Sequence, residues 1–291
     1  MSSEVVELCC KLIAQASVNP QEKEYRKMPY GEERMADFVY GWLAGQGLKP
    51  QRQRVLAGRE NVFAMAEGAD RSRTLLLAGH MDTVDVTGMT VEPFVPKLAE
   101  GRIYGRGACD DKGPLAALMA AFRDRVRKGG LPWNLVLLAT CGEEYDMAGA
   151  SFFAEHFPGE ITAAVFAEPT DLEVIVAHKG VLRLTMRTRG RSAHSSVPER
   201  GENAIYTMAR AVTGVEQFAG DLSRRPGHPA LQQETLAVTV VEGGRQINVI
   251  PDSCQGRIDW RFLPGRSPRQ CRDELAAFLN RQMPGQVELE R

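Results

Sequence analysis

The sequence predicts an α/β protein in two parts: a sheet covered by helices on both faces, then a smaller β-α-β-β-α-β domain. Two observations carry this. Up to ITAAVFA at 161–167, short apolar runs alternate with amphipathic helical segments, the signature of a sheet buried on both sides. Beyond His178–Gly180 the strand-like runs alternate apolar with polar residues, as half-exposed strands do. A third observation sets the scale: 291 residues, 43% hydrophobic, 25% charged, formal net charge −1, ordinary globular composition with room for two domains.

The elements follow in order. MSSEVVELCCKLIAQ reads as an amphipathic helix, and Glu4 and Glu7 break the positive-then-apolar pattern of a signal peptide. NPQEKEYRKMPYG is a loop, and a second helix over about 31–46 is stopped by Gly45 and Gly47. Strands NVFAMAE and RTLLLAG precede the helix PLAALMAAFRDRVRK; strand NLVLLAT, helix MAGASFFAEHF and strand ITAAVFA complete the first part. The second part opens with strand VLRLTMRTRG and a helix over about 201–218. Strands near 235–242 and 254–263, a helix near 268–282 and the strand QVELER follow, with SRRPGHPALQQ as a Pro/Gly loop. The boundary is placed at 178/179, giving domains 1–178 and 179–291.

Several function classes fall away. Basic runs that would mark nucleic-acid binding are missing, and no apolar stretch reaches the roughly 20 residues of a membrane span. A cytoplasmic protein is expected. A G-x-S-x-G elbow is absent, which argues against a serine hydrolase. The six cysteines form no C-x-x-C pair; Cys109 and Cys141, close to acidic motifs, are read as small buried packing residues.

Polar clusters sit where ligands bind in open α/β sheets, beyond strand ends: GHMD after LLLA, GACDDKGP before LAALMAAF, CGEE after LVLLAT, EPTD after AAVFA. His80 and Asp82 are two apart and project to one side of an extended chain, so they suit a metal ligand with its orienting carboxylate or a plain surface loop. Asp110 and Asp111 could cap the helix that Pro114 begins, or a carboxylate could bridge two cations. GRGACDDKGP is a weak match to a nucleotide loop, since Asp110 replaces the third glycine. Glu143 and Glu144 point in different directions as neighbours, so one could bind metal while the other addresses a bound water; a solvated pair is the alternative, as it is for Glu168. Jointly, His80, Asp110, Glu144 and Glu168 offer the N and O ligands of a zinc pair.

The ordered series GHMDTVD, GRGACDDKG, CGEEYDMAGA, EPTDLEVIVAHKG, GRSAHSSVPERGENAI, INVIP and DWRFLPG resembles the M20 metallopeptidase and deacylase family, from about residue 5 onward. The resemblance implies a zinc-peptidase-like mixed sheet between helices, carrying an inserted ferredoxin-like lid and dimerisation domain. It implies two zinc ions, with cobalt able to substitute. His80 and Glu168 would hold one, Glu144 the other, and Asp110 would bridge. Asp82 would orient His80, Glu143 would be the general base, and the Asp110–Asp111 peptide would be cis. His194 would serve the partner's active site across a homodimer paired through the lid, and Asn248 and Arg261 would contact substrate.

MAGASFFAE, AHKG and AHSS lean toward the acetylornithine deacetylase type, so a hydrolase of N-acylated amino acids is expected. A succinyl-diaminopimelate desuccinylase or an M20 di- or carboxypeptidase is the near alternative, and a truncated, non-catalytic dimeric homologue the distant one. The family draws a further metal-binding histidine from a segment after the lid. Here the last histidine is His228, so the C-terminal part of the catalytic domain is expected to be absent.

Overall fold

A computed structural model describes residues 4–20 and 29–290, so most of the loop expected at 19–31 lies outside the described residues. The chain divides into two units, Met1–Glu173 and Val174–Arg291.

The first unit contains α1 (Glu4–Ile13), α2 (Glu33–Gly45), β1 (Pro50–Leu56), β2 (Arg59–Ala66), β3 (Asp70–His80), β4 (Lys97–Ala99) and β5 (Arg102–Tyr104). It continues with α3 (Lys112–Lys128), β6 (Trp133–Thr140), α4 (Ala148–His156) and β7 (Ala163–Phe166). Five strands form a mixed sheet in the order β1-β2-β6-β3-β7. β1, β2 and β6 pair antiparallel, while β6, β3 and β7 run parallel.

The strand at the middle of this sheet explains the sequence pattern. β6 is buried from Asn134 to Thr140, and successive side chains leave on opposite faces. Leu135, Leu137 and Ala139 pack with Leu8, Leu12, Met35, Val39, Leu115 and Phe122 of α1–α3. Val136 and Leu138 pack with Leu76, Ala78 and Phe153 of α4. Two apolar faces require a continuously apolar strand, which is what NLVLLAT supplies. Register then fixes the site: His80 pairs with Thr140, so β3 and β6 end side by side and deliver their following loops to one place.

β1 was not foreseen. PQRQRVL is largely exposed and has no apolar run, because it is an edge strand whose charged residues guard an open ladder. Pairings as short as β4–β5, three residues each, leave no periodicity to read.

The second unit contains β8 (Gly180–Arg189), β9 (Ala193–His194), a 3₁₀ turn (Pro198–Arg200), α5 (Ala204–Ser223) and β10 (Thr235–Gly243). β11 (Val249–Ile250), β12 (Ser253–Phe262), α6 (Pro268–Gln282) and β13 (Val287–Glu290) complete it. Its antiparallel sheet runs β10-β12-β8-β13, the β-α-β-β-α-β arrangement expected. Leu182, Leu184 and Met186 of β8 and Ile258, Trp260 and Phe262 of β12 face one way, onto Met208, Val215, Phe218, Leu275 and Leu279 of α5 and α6. Both helices start on side-chain caps. Asn203 accepts the Ile205 N–H at 2.9 Å, and Ser267 with Gln270 forms a reciprocal capping box.

Candidate metal centre

His80, the last residue of β3, is 1% exposed. Its Nδ1 lies 2.9 Å from the Asp82 carbonyl oxygen. A carbonyl can only accept, so Nδ1 carries the hydrogen and Nε2 is the atom left to face a cation. Nε2 sits 2.8 Å from Asp110 Oδ1. Asp82 therefore aims the imidazole through its main chain, while its carboxylate lies 3.6 Å from Nδ1 and holds something else. Its two oxygens accept the Glu143 and Glu144 N–H groups, each at 3.0 Å. Asn19 Nδ2 donates to the same carboxylate at 2.6 Å. Fully buried, Asp82 ties the end of β3 to the turn after β6.

That tie sets the cluster. The ligand atoms of His80, Asp110 and Glu144 lie within 4.8 Å of one another. Glu168 is not in this threesome, yet its carboxyl is pushed up by burial and by Glu143, Asp110 and Asp82, with His80 opposing, so it borders the same field. Asp111 stands at the N-cap position of α3 but makes no side-chain cap hydrogen bond. Its Oδ2 accepts the His80 N–H at 2.9 Å, and its Oδ1 is buried without a partner. The Asp110–Asp111 peptide is cis.

The electrostatics show what the cluster needs. Burial works against a charged His80, but Asp110 and Asp82 outweigh it and push the imidazole up to about 12. Glu144 is pushed up to about 7, first by burial and then by Asp110, and Asp111 to about 8, again chiefly by burial. The Asp82 carboxyl goes down, because His80, Asn19 and the Glu144 N–H outweigh its burial. Carboxyls that retain protons around a charged imidazole mark an excess of negative potential. With an imidazole nitrogen, nearby carboxylates and an orphaned buried oxygen, these residues fit a divalent cation.

Other buried polar residues here were not singled out from the sequence: Asn19, Glu32, Arg59, Asn61 and Lys112. The Lys112 ammonium donates to the Gln15 carbonyl at 2.7 Å and is pushed down to about 7 by burial. Asn61 opens the apolar run NVFAMAE and is fully buried, a polar residue at the border of an apolar strand. Cys141 is buried as expected, but Cys109, in the turn before α3, is exposed.

In the second unit, β9 and β11 pair so that His194 faces Val249. The Ser195 N–H donates to the Asn248 carbonyl at 2.9 Å, which brings His194 and Asn248 together. The imidazole is exposed, with Nδ1 2.8 Å from Ser196 Oγ. Arg261 stands apart on β12, opposite Val181, with its guanidinium donating to Asp259 at 2.8 Å.

Comparison with known proteins matches this arrangement. Residues 176–287 match the peptidase dimerisation domain, and residues 61–222 match peptidase family M28. The chain is 34% identical to an acetylornithine deacetylase of Proteus mirabilis, covering 98% of this chain and 74% of that one. Against the Klebsiella pneumoniae enzyme of the same name it is 33% identical, covering 97% and 74%. Among solved structures, an M20 family metallo-carboxypeptidase from Sulfolobus solfataricus superposes with a TM-score of 0.80 at 17% identity, covering 99% of this chain and 78% of that one. A dinuclear metal-binding M20 peptidase from Bacillus subtilis gives 0.64 at 15% identity, covering 98% and 72%. With a mixed-sheet unit bearing a clustered metal-ligand set, a ferredoxin-like dimerisation domain, and relatives of this identity and coverage, the chain belongs to the M20 family of metal-dependent hydrolases.

Proposed function

We propose that this protein is a zinc-dependent amidohydrolase of the acetylornithine deacetylase type, cleaving the amide bond of an N-acylated amino acid. The observation that carries the proposal is the convergence of His80, Asp110 and Glu144 within 4.8 Å, with Glu143 on the neighbouring peptide. Residues 1–178 form the catalytic domain and 179–291 the lid. His80, Asp110, Glu144 and Glu168 hold the metal, and the Asp82 carbonyl keeps the imidazole aimed. Zinc, when bound, makes a water more acidic and polarises the amide carbonyl.

Glu143 takes the proton of the attacking water and passes it to the leaving amine. Its N–H is fixed by Asp82, so the carboxylate is presented without being needed as a ligand. Copies pair through the lid, and His194 of one subunit serves the metal centre of the other, holding the developing oxyanion. Asn248 beside it and Arg261 bind substrate.

The test is hydrolysis of N-acetylornithine, N-succinyl-diaminopimelate and a dipeptide by zinc-loaded protein. Preference for the acetylated amino acid supports the proposal. Preference for either other substrate transfers it to the desuccinylase or peptidase reading, and turnover of none overturns it.

A further inference from the structure

Four consecutive peptide N–H groups after β6 are each accepted by a side chain from elsewhere in the first unit. The Cys141 N–H goes to Asn61 Oδ1 at 3.1 Å and the Gly142 N–H to Glu32 Oε1 at 3.1 Å. Those of Glu143 and Glu144 go to the two Asp82 oxygens at 3.0 Å. Buried N–H groups normally find partners in secondary structure. Here the chain has left the sheet, and side chains replace the ladder.

Glu32, at the N-terminus of α2, is 0% exposed, and Arg59, at the start of β2, is 5% exposed. They meet through a fork: Arg59 Nε lies 2.9 and 3.1 Å from the two Glu32 oxygens, and Nη2 lies 2.5 Å from Oε1. Asn61, also fully buried, uses its amide to donate to the Gly149 carbonyl at 2.8 Å, which ties the far end of the same turn. Gly142 adopts φ +75°, and a Cβ there would stand 3.0 Å from Arg59 Nη2, so the turn is fitted to this pair. A buried ion pair is a poor source of net stability, since desolvation offsets its attraction. Its geometry points to another use.

We infer that Glu32, locked by Arg59, is a positioning residue. It holds the Gly142 peptide while Asp82, just after β3, holds the next two. The peptides from which the Glu143 and Glu144 side chains spring are thereby held in one conformation. The catalytic part of this inference rests on the functional reading above; the positioning part rests on the hydrogen bonds alone.

Two double variants separate positioning from mere stability. Glu32→Gln with Arg59→Met removes the ion pair but keeps an oxygen for the Gly142 N–H. Glu32→Leu with Arg59→Met replaces the pair with apolar groups of similar size, which offsets the lost ion pair, but leaves the buried Gly142 N–H without its acceptor. Amide hydrogen exchange over 141–146, zinc affinity by competition with a chelating dye, and kcat and KM for N-acetylornithine would be measured for both, at a temperature where each is folded.

The Leu/Met variant is expected to exchange faster at 141–146 and to bind zinc about 10- to 100-fold more weakly, the range for lost outer partners of metal ligands. Its kcat should fall more than its KM rises, while the Gln/Met variant stays near the parent. Equal exchange and equal zinc affinity in the two variants would overturn the inference. If the parent itself neither binds zinc nor hydrolyses substrate, the functional reading and the catalytic part fall together, and the exchange rates still decide the positioning part.

Discussion

The acidic turn of the first unit and the His194 segment of the second are held in opposite ways. Around Glu143 and Glu144, Asp82, Glu32 and Asn61 are all buried and hold successive peptide N–H groups. Around His194, the ladder is two residues long and the imidazole is exposed, bonded to a neighbouring serine. The first arrangement is complete within its own unit. The second leaves an exposed ring whose Nδ1 is bonded to Ser196, two residues along the chain. Buried side chains thus fix the acidic turn peptide by peptide, whereas the His194 segment rests on a short ladder and local contacts.

The largest expected effect tests the rigid side. Glu143→Ala should lower turnover by about 10²–10⁴, the range for a lost general base, with zinc content unchanged. Zinc lost along with activity would make Glu143 a ligand instead. On the outward side, His194→Ala should cost about 10²–10³ in kcat if it stabilises an oxyanion, without changing zinc affinity. Mixing that variant with Glu143→Ala protein should then restore part of the activity, because a mixed dimer contains one intact site. No recovery would return His194 to its own chain, or remove it from catalysis.

Asn19→Ala probes the tie between the two loops. It removes the 2.6 Å donor to Asp82 and should weaken zinc binding by about 10-fold or more while leaving the lid unaffected. An unchanged zinc affinity would mean that the remaining peptide contacts suffice.

The pH dependence of metal-stripped protein sharpens the comparison further. Glu144 rises from 4.5 to about 7, Asp111 from 3.8 to about 8, and His80 from 6.5 to about 12. A group with a raised folded pKa stabilises fully below its unfolded value and loses that stabilisation as pH climbs toward the folded one. Asp82 and Lys112 run the other way. The contribution of Asp82, lowered from 3.8, is complete by about pH 5. Lys112, lowered from 10.5 to about 7, regains less of its burial cost by pH 8 than the three raised groups lose together. The stripped first unit should therefore melt at a lower temperature at pH 8 than at pH 5, and added zinc should raise that temperature more at pH 8. A pH-independent zinc shift would argue against a cation at this cluster. The smallest effect belongs to Cys109→Ala: the side chain is exposed, so stability should change by no more than about 0.5 kcal/mol in chemical denaturation.

Patterns that depend on local order were legible in the sequence. NLVLLAT announced a strand buried on both faces, VLRLTMRTRG a half-exposed one, and the four strand-end motifs placed His80, Asp110, Glu144 and Glu168 at one edge of the sheet. The sequence alone therefore determined the alternation of elements and the order of the second unit, since each is written in residues a few positions apart. The tertiary structure decided the rest. β1 gave no signal because an exposed edge strand needs no apolar face. Cys109 could not be told from a packing residue until its turn was placed. Asp82's carboxylate also holds the peptides of Glu143 and Glu144, 61 and 62 residues away. Glu32 reaches Gly142 across 110 residues. Such contacts are set by strand register and helix packing, which bring together residues whose identities say nothing of one another along the chain.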